Sequence, residues 1–363
     1  MIVCVHDDRP TAVVGVQLAV ASIARHAPGT RVVASLKEAD EDTRAWFAAQ
    51  PDCELIVGED FGASGWDVKA ALLMERLKLD DEAVWWDSDI IANGDFRPFF
   101  SVHGPEVVVS TEDTFWGQKQ GGDYRTRAWG FPVGRLIHAT VNTCVLRVTR
   151  QHIEMLEFWQ ECMQRPEYKV AQKTNMLERT LHLLGDMEVF TAIAGSERFK
   201  DRPLVLLKRG TEIAQCFGPA GFRVRERLAS LRRWHTAPPI VHSTNPKTWD
   251  ALADPDRRPP RSIALWKWRR WYQSLHAEMS TYTILARSYA GQLQHDQPWL
   301  RNTSPIGRAL MRIPGEPSVV PEIPVAMFDA VVRSARRVLG IGRFPLADIS
   351  GTPPAPPGTP STR

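Results

Sequence analysis

Apolar runs and amphipathic stretches alternate along the first part of the chain. Short apolar runs between polar residues predict strands, and apolar residues three and four positions apart predict helices. The predicted strands are Ile2–His6, Arg31–Leu36 and Glu54–Val57, and the predicted helices are about Thr11–His26, Asp40–Gln50 and Trp66–Leu79. Because these strands and helices alternate, they form βα units, which predict a parallel, doubly wound sheet.

The next apolar run contains two acidic residues. Ala83–Ile91 reads AVWWDSDII, which is too short for a helix and predicts a buried strand with Asp87 and Asp89 at its carboxyl end. Open α/β sheets bind ligands at that end. Alternate residues of a strand point the same way, so both carboxylates are expected to reach one divalent cation. The alternative is an ordinary polar turn after the strand.

Beyond Asp89 the regular alternation is lost. The predicted elements are strands at Glu106–Ser110 and Thr140–Val148 and helices at about Gln151–Arg165 and Asn175–Leu184. The two strands are separated by Phe115–Gly134, which is rich in glycine and aromatic residues. A connection of this length in a compact domain is usually functional, so we expect a lid or a binding loop.

The composition changes again after His242. Pro255–Pro260 is rich in proline and arginine and predicts a linker, and Ser262–Gln294 predicts a long basic helical stretch rich in tryptophan. The last residues are proline, glycine, threonine and serine, which predict disorder. The predicted division is a catalytic domain at residues 1–254, a helical extension at 255–350 and a disordered tail at 351–363.

The overall charge argues against nucleic-acid binding, and the cysteines argue against disulfide and zinc sites. The 363 residues contain 45 Lys and Arg against 42 Asp and Glu, so general nucleic-acid binding is not indicated. The five cysteines are scattered without a CxxC pair, which argues against a disulfide framework or a structural zinc site. No signal peptide and no apolar run of ~20 residues is seen, so a cytoplasmic protein is expected.

Five short blocks follow one another over about residues 1–250. They are VCVHDD at Val3–Asp8, WDVK at Trp66–Lys69 leading to Asp87-Ser88-Asp89, VNTCVL at Val141–Leu146, GDMEVF at Gly185–Phe190 and IVHSTNPKTW at Ile240–Trp249. Their order and spacing resemble GT-A-type, metal-dependent glycosyltransferases, especially the glycosyltransferase family 8 group that includes glycogenin and bacterial lipopolysaccharide galactosyltransferases. Cys144, Met187 and Asn245 depart from that pattern, where the family has glycine, glutamine and glycine.

The resemblance implies a fold and a reaction. The fold is a GT-A-type, Rossmann-like, doubly wound mixed sheet with flanking helices, here followed by a C-terminal helical extension. The reaction is transfer of a sugar, with retention of configuration, from a nucleotide-diphosphate-sugar donor, most simply a UDP-sugar, to a saccharide or glycolipid acceptor. The cofactor is a divalent metal, Mn²⁺ or Mg²⁺, because carboxylates and an imidazole suit these ions.

The resemblance also assigns roles to individual residues. The implied metal ligands are Asp87, Asp89 and His242, the implied contacts to the donor are Asp8, Lys69, Ser88 and Lys247, and the implied contacts to the transferred sugar or acceptor are Asn142, Asp186 and Glu188. Simpler interpretations stay open: a structural histidine at 242, solvated lysines at 69 and 247, a strand-end cap at Asn142, and exposed acids in a turn at 186 and 188. Asp7 is an alternative to Asp8, and either could cap the following helix.

Two groups of aromatic residues extend the hypothesis. In the long loop, Trp116, Trp129 and Phe131 are candidates to stack on sugar faces. Further along, Trp266, Trp268, Trp271 and Tyr272 alternate with Lys267, Arg269 and Arg270. This basic aromatic helix predicts either contact with an anionic membrane near a lipid-linked acceptor or packing on the catalytic domain.

Two other classes of function remain as alternatives. A sugar nucleotidyltransferase usually has a glycine-rich phosphate loop after the first strand, and His6–Pro10 is not such a loop. A non-catalytic protein that binds sugar nucleotides or polysaccharides is consistent with the departures at Cys144, Met187 and Asn245.

Overall fold

The computed structural model describes residues 1–113, 122–216, 221–244, 247–252, 265–301, 303–338 and 347. The strands in these residues are β1 Ile2–Asp7, β2 Arg31–Leu36, β3 Cys53–Val57, β4 Glu82–Trp86, β5 Ile90–Ala92, β6 Val108–Glu112, β7 Val141–Thr149, β8 Leu204–Leu207, β9 Ile213–Gln215 and β10 Ile240–His242. The α-helices are α1 Val13–His26, α2 Glu41–Ala48, α3 Lys69–Leu77, α4 Pro98–Ser101, α5 Tyr124–Ala128, α6 Ile153–Gln164, α7 Pro166–Gln172, α8 Asp186–Ala194, α9 Val224–Trp234, α10 Thr248–Ala251, α11 Leu265–Met279, α12 Thr281–Ala286, α13 Pro298–Arg301, α14 Pro305–Leu310 and α15 Ile323–Val338.

Seven strands form the main sheet in the order β3-β2-β1-β4-β7-β6-β8. The first four are parallel, β7 is antiparallel to both β4 and β6, and β8 is parallel to β6. The predicted α/β class, with a mixed sheet, flanking helices and C-terminal helices, is confirmed. Because β7 runs against β4, the amino end of β7 meets the carboxyl ends of β1 and β4.

Helices cover both faces of the sheet because its central strands are apolar on both sides. Trp85 and Trp86 are neighbours in β4 and are both buried, at 2% and 0% exposed. Successive side chains of a strand point to opposite faces. Trp85 belongs to the apolar cluster with α3, α6 and α8, whereas Trp86 belongs to the one with α1 and α2. This two-sided burial is typical of a doubly wound sheet.

The acidic run is not one extended strand, which corrects the prediction for Ala83–Ile91. β4 ends at Trp86, and Asp87, Ser88 and Asp89 form a tight turn in which the Ile90 amide donates to the Asp87 carbonyl at 3.1 Å. The chain then enters a second, three-stranded sheet in the order β5-β10-β9. The two acids therefore converge through a turn between two sheets.

The second half of the long aromatic loop packs against the rest of the protein. Residues 114–121, with Trp116 among them, lie outside the described residues. The indole of Trp129 is only 7% exposed, stacks on Phe131 at 6.1 Å between ring centroids and donates to the His182 carbonyl at 2.9 Å. Trp129 thus belongs to the core and the partly buried Phe131 packs against it, so the prediction that they stack on a sugar is wrong.

The region before the motif GDMEVF also differs from prediction. In place of a helix at Asn175–Leu184 there are two short 3₁₀ turns, Met176–Glu178 and Leu181–Leu183. The helix α8 begins afterwards, at Asp186. The short strands β8 and β9 were not predicted, because each is only three or four residues long.

The C-terminal helices pack directly on the first half of the chain. One apolar cluster joins residues of α1, β5 and β10 to Tyr282, Tyr289 and Trp299. The predicted linker Pro255–Pro260, the boundary at 254/255 and the tail 351–363 lie outside the described residues. In the described part of the chain, no helix combines the length and apolarity that are needed to cross a membrane.

Candidate active site

A cleft of about 400 Å³ opens at the edge of the main sheet where β1 and β4 end and β7 begins. Nine of the ten residues predicted to form the site line it: Asp8, Lys69, Asp87, Ser88, Asp89, Asn142, Asp186, His242 and Lys247. The tenth, Glu188, does not. Residues from distant parts of the sequence therefore meet where open α/β sheets bind ligands.

Asp87, Asp89 and His242 form a possible cation site. Each offers a ligand atom within 4.8 Å of the others, and His242 Nε2 lies 3.4 Å from Asp89 Oδ1 and 3.9 Å from Asp87 Oδ2. His242 and Asp89 are 2% and 0% exposed, yet both ring nitrogens and Asp89 Oδ1 lack a hydrogen-bond partner. Buried polar atoms are almost always paired. Two carboxylates and an imidazole with free buried atoms fit a divalent ion such as Mn²⁺ or Mg²⁺.

Strand pairing in the second sheet brings His242 to the acids. His242 ends β10 and lies opposite Ile90 of β5 in the antiparallel pair. The Ser243 amide donates to the Asp89 carbonyl at 2.8 Å, and the Cys216 amide of β9 donates to the His242 carbonyl at 2.6 Å. The backbone around His242 is thus held on both sides, which places the residue beside Asp89.

Lys247 forms an ion pair with Asp89 in the cleft. Burial would raise the pKa of Asp89, but Lys247 and His242 outweigh it and hold that pKa well below its usual range. For His242, burial would lower the pKa, but Cys144 and Asp89 together raise it to about 10. The negative charge of Asp89 is therefore balanced by the neighbouring side chains of Lys247 and His242.

Lys69 is a buried cation between two acids. Only 4% exposed, it starts α3 and places its Nζ 3.1 Å from Asp87 Oδ1 and 3.2 Å from Asp186 Oδ2. Burial would lower the pKa of Lys69, but Asp186 and Asp87 raise it above its usual value. The hypothesis of a solvated lysine on a helix face is wrong for this residue. A fixed positive charge lies instead at the floor of the cleft.

Asp186 and Asn142 approach the same floor from α8 and β7. Asp186 accepts a hydrogen bond from the Thr143 hydroxyl at 2.6 Å, so it belongs to the start of a helix and not to an exposed turn. The Asn142 amide nitrogen donates to Asp113 and Gln215, each at 3.3 Å, while its oxygen accepts from the Cys144 amide at 3.0 Å. Both side chains are held in fixed positions.

The first strand contributes two acids with different partners. Asp7 accepts hydrogen bonds from the Ser88 hydroxyl at 2.5 Å and from Arg9 Nη2 at 2.8 Å. Asp8 accepts from the Gly65 amide at 2.7 Å. Neither side chain caps α1, whose first turn has no side-chain cap. Asp7 therefore positions Ser88 and Arg9, and Asp8 holds the loop on the far side of the cleft.

Glu188 lies behind the cleft and does not face it. Its side chain is fully buried and forms an ion pair with Arg125 of α5. Burial raises the pKa of Glu188 to about 7 in spite of that arginine. Asp186 and Glu188 are two positions apart on a helix, where side chains do not share a face. Periodicity could have excluded Glu188 once α8 was recognised as a helix.

No protein-family model and no curated protein matches this sequence. Several solved structures are similar to it. LgtC, a galactosyltransferase solved with donor and acceptor sugar analogues, is 16% identical with a TM-score of 0.44, over 81% of this chain and 100% of LgtC. GlyE, a glycosyltransferase of Streptococcus pneumoniae TIGR4, is 13% identical with a TM-score of 0.43, over 80% of this chain and 63% of GlyE.

A third similar structure is WbbM, a bifunctional glycosyltransferase, at 13% identity and a TM-score of 0.45. The match covers 68% of this chain but only 46% of WbbM, so this chain spans less than half of that protein. All three are glycosyltransferases. These likenesses are distant, and the function proposed below is based on the residues of the cleft.

Proposed function

We propose that the protein is a metal-dependent glycosyltransferase that transfers a sugar from a nucleotide-diphosphate-sugar donor, a UDP-sugar in the first instance, to a saccharide or glycolipid acceptor. The observation that carries this proposal is the meeting of Asp87, Asp89 and His242 with Lys69 and Lys247 in one cleft. Two acids and an imidazole suit a divalent cation, and the lysines add positive charge beside it. Such a site is complementary to a diphosphate on which negative charge develops as the sugar leaves.

The polar and charged residues of the cleft have different proposed roles. Asp87, Asp89 and His242 would hold Mn²⁺ or Mg²⁺, which supplies Lewis-acid stabilisation of the departing diphosphate. Lys247 is 18% exposed at its side chain, so once it leaves Asp89 it can contact a diphosphate oxygen as a point charge. Asp8 and Ser88 lie beside β1 and contact the nucleoside part of the donor.

The floor of the cleft would recognise the transferred sugar. Asp186 and Asn142 present fixed polar atoms, and Lys69 lies between Asp186 and Asp87. Sugar hydroxyls both donate and accept, so a carboxylate, an amide and an ammonium group can bind several of them at once. Glu188 is left out because it does not reach the cleft. We propose retention of anomeric configuration from the motif resemblance alone.

The site also bears on the two other classes of function. Asp7, at the end of β1, points to Arg9 and Ser88 and not to a glycine-rich phosphate loop, which disfavours a nucleotidyltransferase. The buried unpaired atoms of Asp89 and His242 suit a bound cation in an enzyme and in a binding protein alike. Metal-dependent hydrolysis of a sugar nucleotide separates these two classes.

A surface on the C-terminal helices fits peripheral contact with an anionic membrane at its cytoplasmic face. Helix α15 exposes Met327, Phe328 and Val331 at 58%, 57% and 68%, and the ring of Phe328 lies 5.6 Å from that of Tyr272 on α11. Beside them α11 exposes Trp268, Lys267 and Arg270. The side chains of Trp266 and Arg269 lie outside the described residues. Apolar and basic side chains together are typical of interfacial helices.

The test of the proposed function is donor consumption. Purified protein is incubated with UDP-, GDP- and dTDP-sugars, with and without Mn²⁺, and the released nucleotide is measured together with thermal stability. A matching donor at 100 times its Kd raises the free energy of unfolding by about 2.7 kcal/mol. The proposal fails if none of the donors stabilises the protein or is turned over in the presence of Mn²⁺ or Mg²⁺.

A further inference from the structure

The rim of the cleft is apolar although its floor is charged. Four side chains, which we call the apolar rim, line the cleft on the side of α8: Trp66, Met176, Leu184 and Met187. Trp66 and Met176 are large and are 46% and 40% exposed. Exposed large apolar side chains that lie together at a binding cleft are typical of a surface that something apolar covers.

Trp66 and Gly185 are neighbours in the rim. A β-carbon at Gly185 would meet Cε2 of Trp66 at 3.7 Å, an ordinary van der Waals distance, so the indole lies beside the turn that leads into α8. Leu184 and Met187 lie on either side of this glycine in sequence, and Leu184 is 2% exposed. The rim thus joins the loop of Trp66 to the start of α8.

The apolar surface continues outwards from the cleft. Met176 begins a 3₁₀ turn, and the next residue, Leu177, is 69% exposed. Towards the floor, by contrast, the cleft is lined by Asp87, Asp186 and Lys69. These charged residues do not suit an apolar substituent on the transferred sugar itself, such as a methyl group, because that sugar lies over the floor. An apolar outer wall suits a longer hydrocarbon group that leaves the cleft past Trp66 and Met176.

We propose that the apolar rim binds a hydrocarbon group joined to the acceptor saccharide, so that the acceptor is an alkyl glycoside of the glycolipid class and not a free oligosaccharide. This inference rests on the proposed glycosyl transfer, and it names the class of acceptor. The reacting sugar of the acceptor lies over the polar floor, and its hydrocarbon chain lies against Trp66 and Met187. Burial of the chain removes apolar surface from water on both sides of the contact.

The test compares acceptors that differ only in their hydrocarbon group. Hexyl and methyl β-glucosides and β-galactosides, below micelle-forming concentrations, are titrated calorimetrically into the protein with Mn²⁺ and UDP. Each buried methylene strengthens binding about fourfold. We expect each hexyl glycoside to bind at least tenfold more tightly than its methyl counterpart. Equal affinities for hexyl and methyl forms would overturn the inference.

Variants show whether the gain arises at the rim. Trp66→Ala removes the exposed indole and Met187→Gln replaces the thioether by a polar group of similar size, and both should abolish most of the preference for hexyl over methyl. Trp268→Ala is the matched control, because Trp268 is also a half-exposed tryptophan, at 41%, but does not line the cleft. A preference that survives both rim variants, or that falls equally in the control, would also overturn the inference.

Failure of this inference can be told apart from failure of the proposed function. Donor turnover by water needs no acceptor and is measured as nucleotide release with Mn²⁺. If nucleotide is released but hexyl and methyl glycosides bind equally, the apolar acceptor is refuted and the proposed transferase is not. If no donor is turned over, the proposed transferase is refuted, whether or not the glycosides bind.

Discussion

Lys247 pairs with Asp89 across the cleft, so the ammonium group of one lies where a cation would meet the carboxylate of the other. Asp89 is completely buried, whereas the Lys247 side chain is 18% exposed. The lysine can therefore swing towards solvent or a diphosphate while the acid cannot move. Exchange of Lys247 for a divalent ion on Asp89 would link metal binding to diphosphate binding.

Asp89→Asn should abolish metal-dependent turnover. Relief of the repulsion between Asp87 and Asp89 would by itself make the variant slightly more stable. The structure reverses this sign, because Asp89 is paired with Lys247 and its loss leaves the lysine without a partner. We expect a loss of about 1–3 kcal/mol in the free energy of unfolding and a loss of turnover of at least about 100-fold. Chemical denaturation and nucleotide release on one preparation measure both.

A variant that melts normally and still turns over donor with Mn²⁺ would end the metal-dependent transferase proposal. Asp95→Asn is the control, because Asp95 is also an acid paired with a basic side chain but its pair with Arg97 is exposed. This control should stay near wild type in both measurements.

Binding of Mn²⁺ should strengthen with pH. A metal-bound imidazole must be neutral, and Cys144 and Asp89 raise the pKa of His242 to about 10 in spite of its burial, so each ion that binds displaces a proton. Below that pKa the apparent affinity should rise about tenfold per pH unit. Calorimetric titration at pH 6, 7 and 8 measures the slope. His242→Ala should bind Mn²⁺ more weakly, though less so than Asp89→Asn, and should lose most of the slope; an unchanged slope excludes His242 as a ligand.

Lys69→Met should destabilise the cleft itself. The substitution keeps the length of the side chain but removes the charge that Asp87 and Asp186 share. Breaking a buried ion pair leaves an uncompensated charge and costs about 3–5 kcal/mol. Lys78→Met is the matched control, because Lys78 is 65% exposed in its pair with Glu75 and should change stability by less than about 1 kcal/mol. Urea unfolding of the two variants decides, and equal midpoints would contradict the buried role.

Glu322→Gln should loosen the C-terminal helices from the rest of the fold. Arg227 of α9 pairs with Glu322 next to α15, and both side chains are at most 2% exposed. Loss of the acid leaves a buried guanidinium and should cost about 3–5 kcal/mol. Asp296→Asn removes an exposed partner of Arg301 and should cost less than about 1 kcal/mol. Denaturation curves that coincide for these two variants would refute the role of the buried pair.

The membrane surface predicts flotation with anionic vesicles. Protein should float with vesicles that contain phosphatidylserine and remain behind with neutral phosphatidylcholine, because apolar insertion is helped by basic side chains. Phe328→Ser together with Val331→Ser should reduce flotation. Leu79→Ser is the control, since Leu79 is 71% exposed outside α11 and α15. Equal behaviour with both lipids would leave packing as the sole role of the aromatic helix.

Local patterns predicted the βα units well. Val3 to Val5 and Val32 to Leu36 are buried runs of strand length, and β2 is found at its predicted bounds, Arg31–Leu36. These local patterns failed where a strand pairs with a distant part of the chain. β4 ends at Trp86 because Ile90 pairs with β10, more than a hundred residues later in the chain. No local pattern contains that partner.

The structure brings most of the predicted site residues to one cleft, and their roles stay predictions. Lys69 was expected at the cleft, but its burial between two acids depends on β7 and α8, which come later in sequence. Glu188 was included because it follows Asp186 in a motif, yet helix geometry turns it towards Arg125. Trp66 and Met176 were not predicted to line the cleft, because they come from separate loops that only the fold brings to it.

The small sheet β5-β10-β9 determines when the cation site exists during synthesis. Asp87 and Asp89 leave the ribosome early, and His242 and its strand leave much later. Domains generally fold as units during synthesis. Until β10 pairs with β5, the acids have neither the imidazole nor the lysine that follows it. The possible cation site is therefore complete only after β10 has been made and has docked on β5.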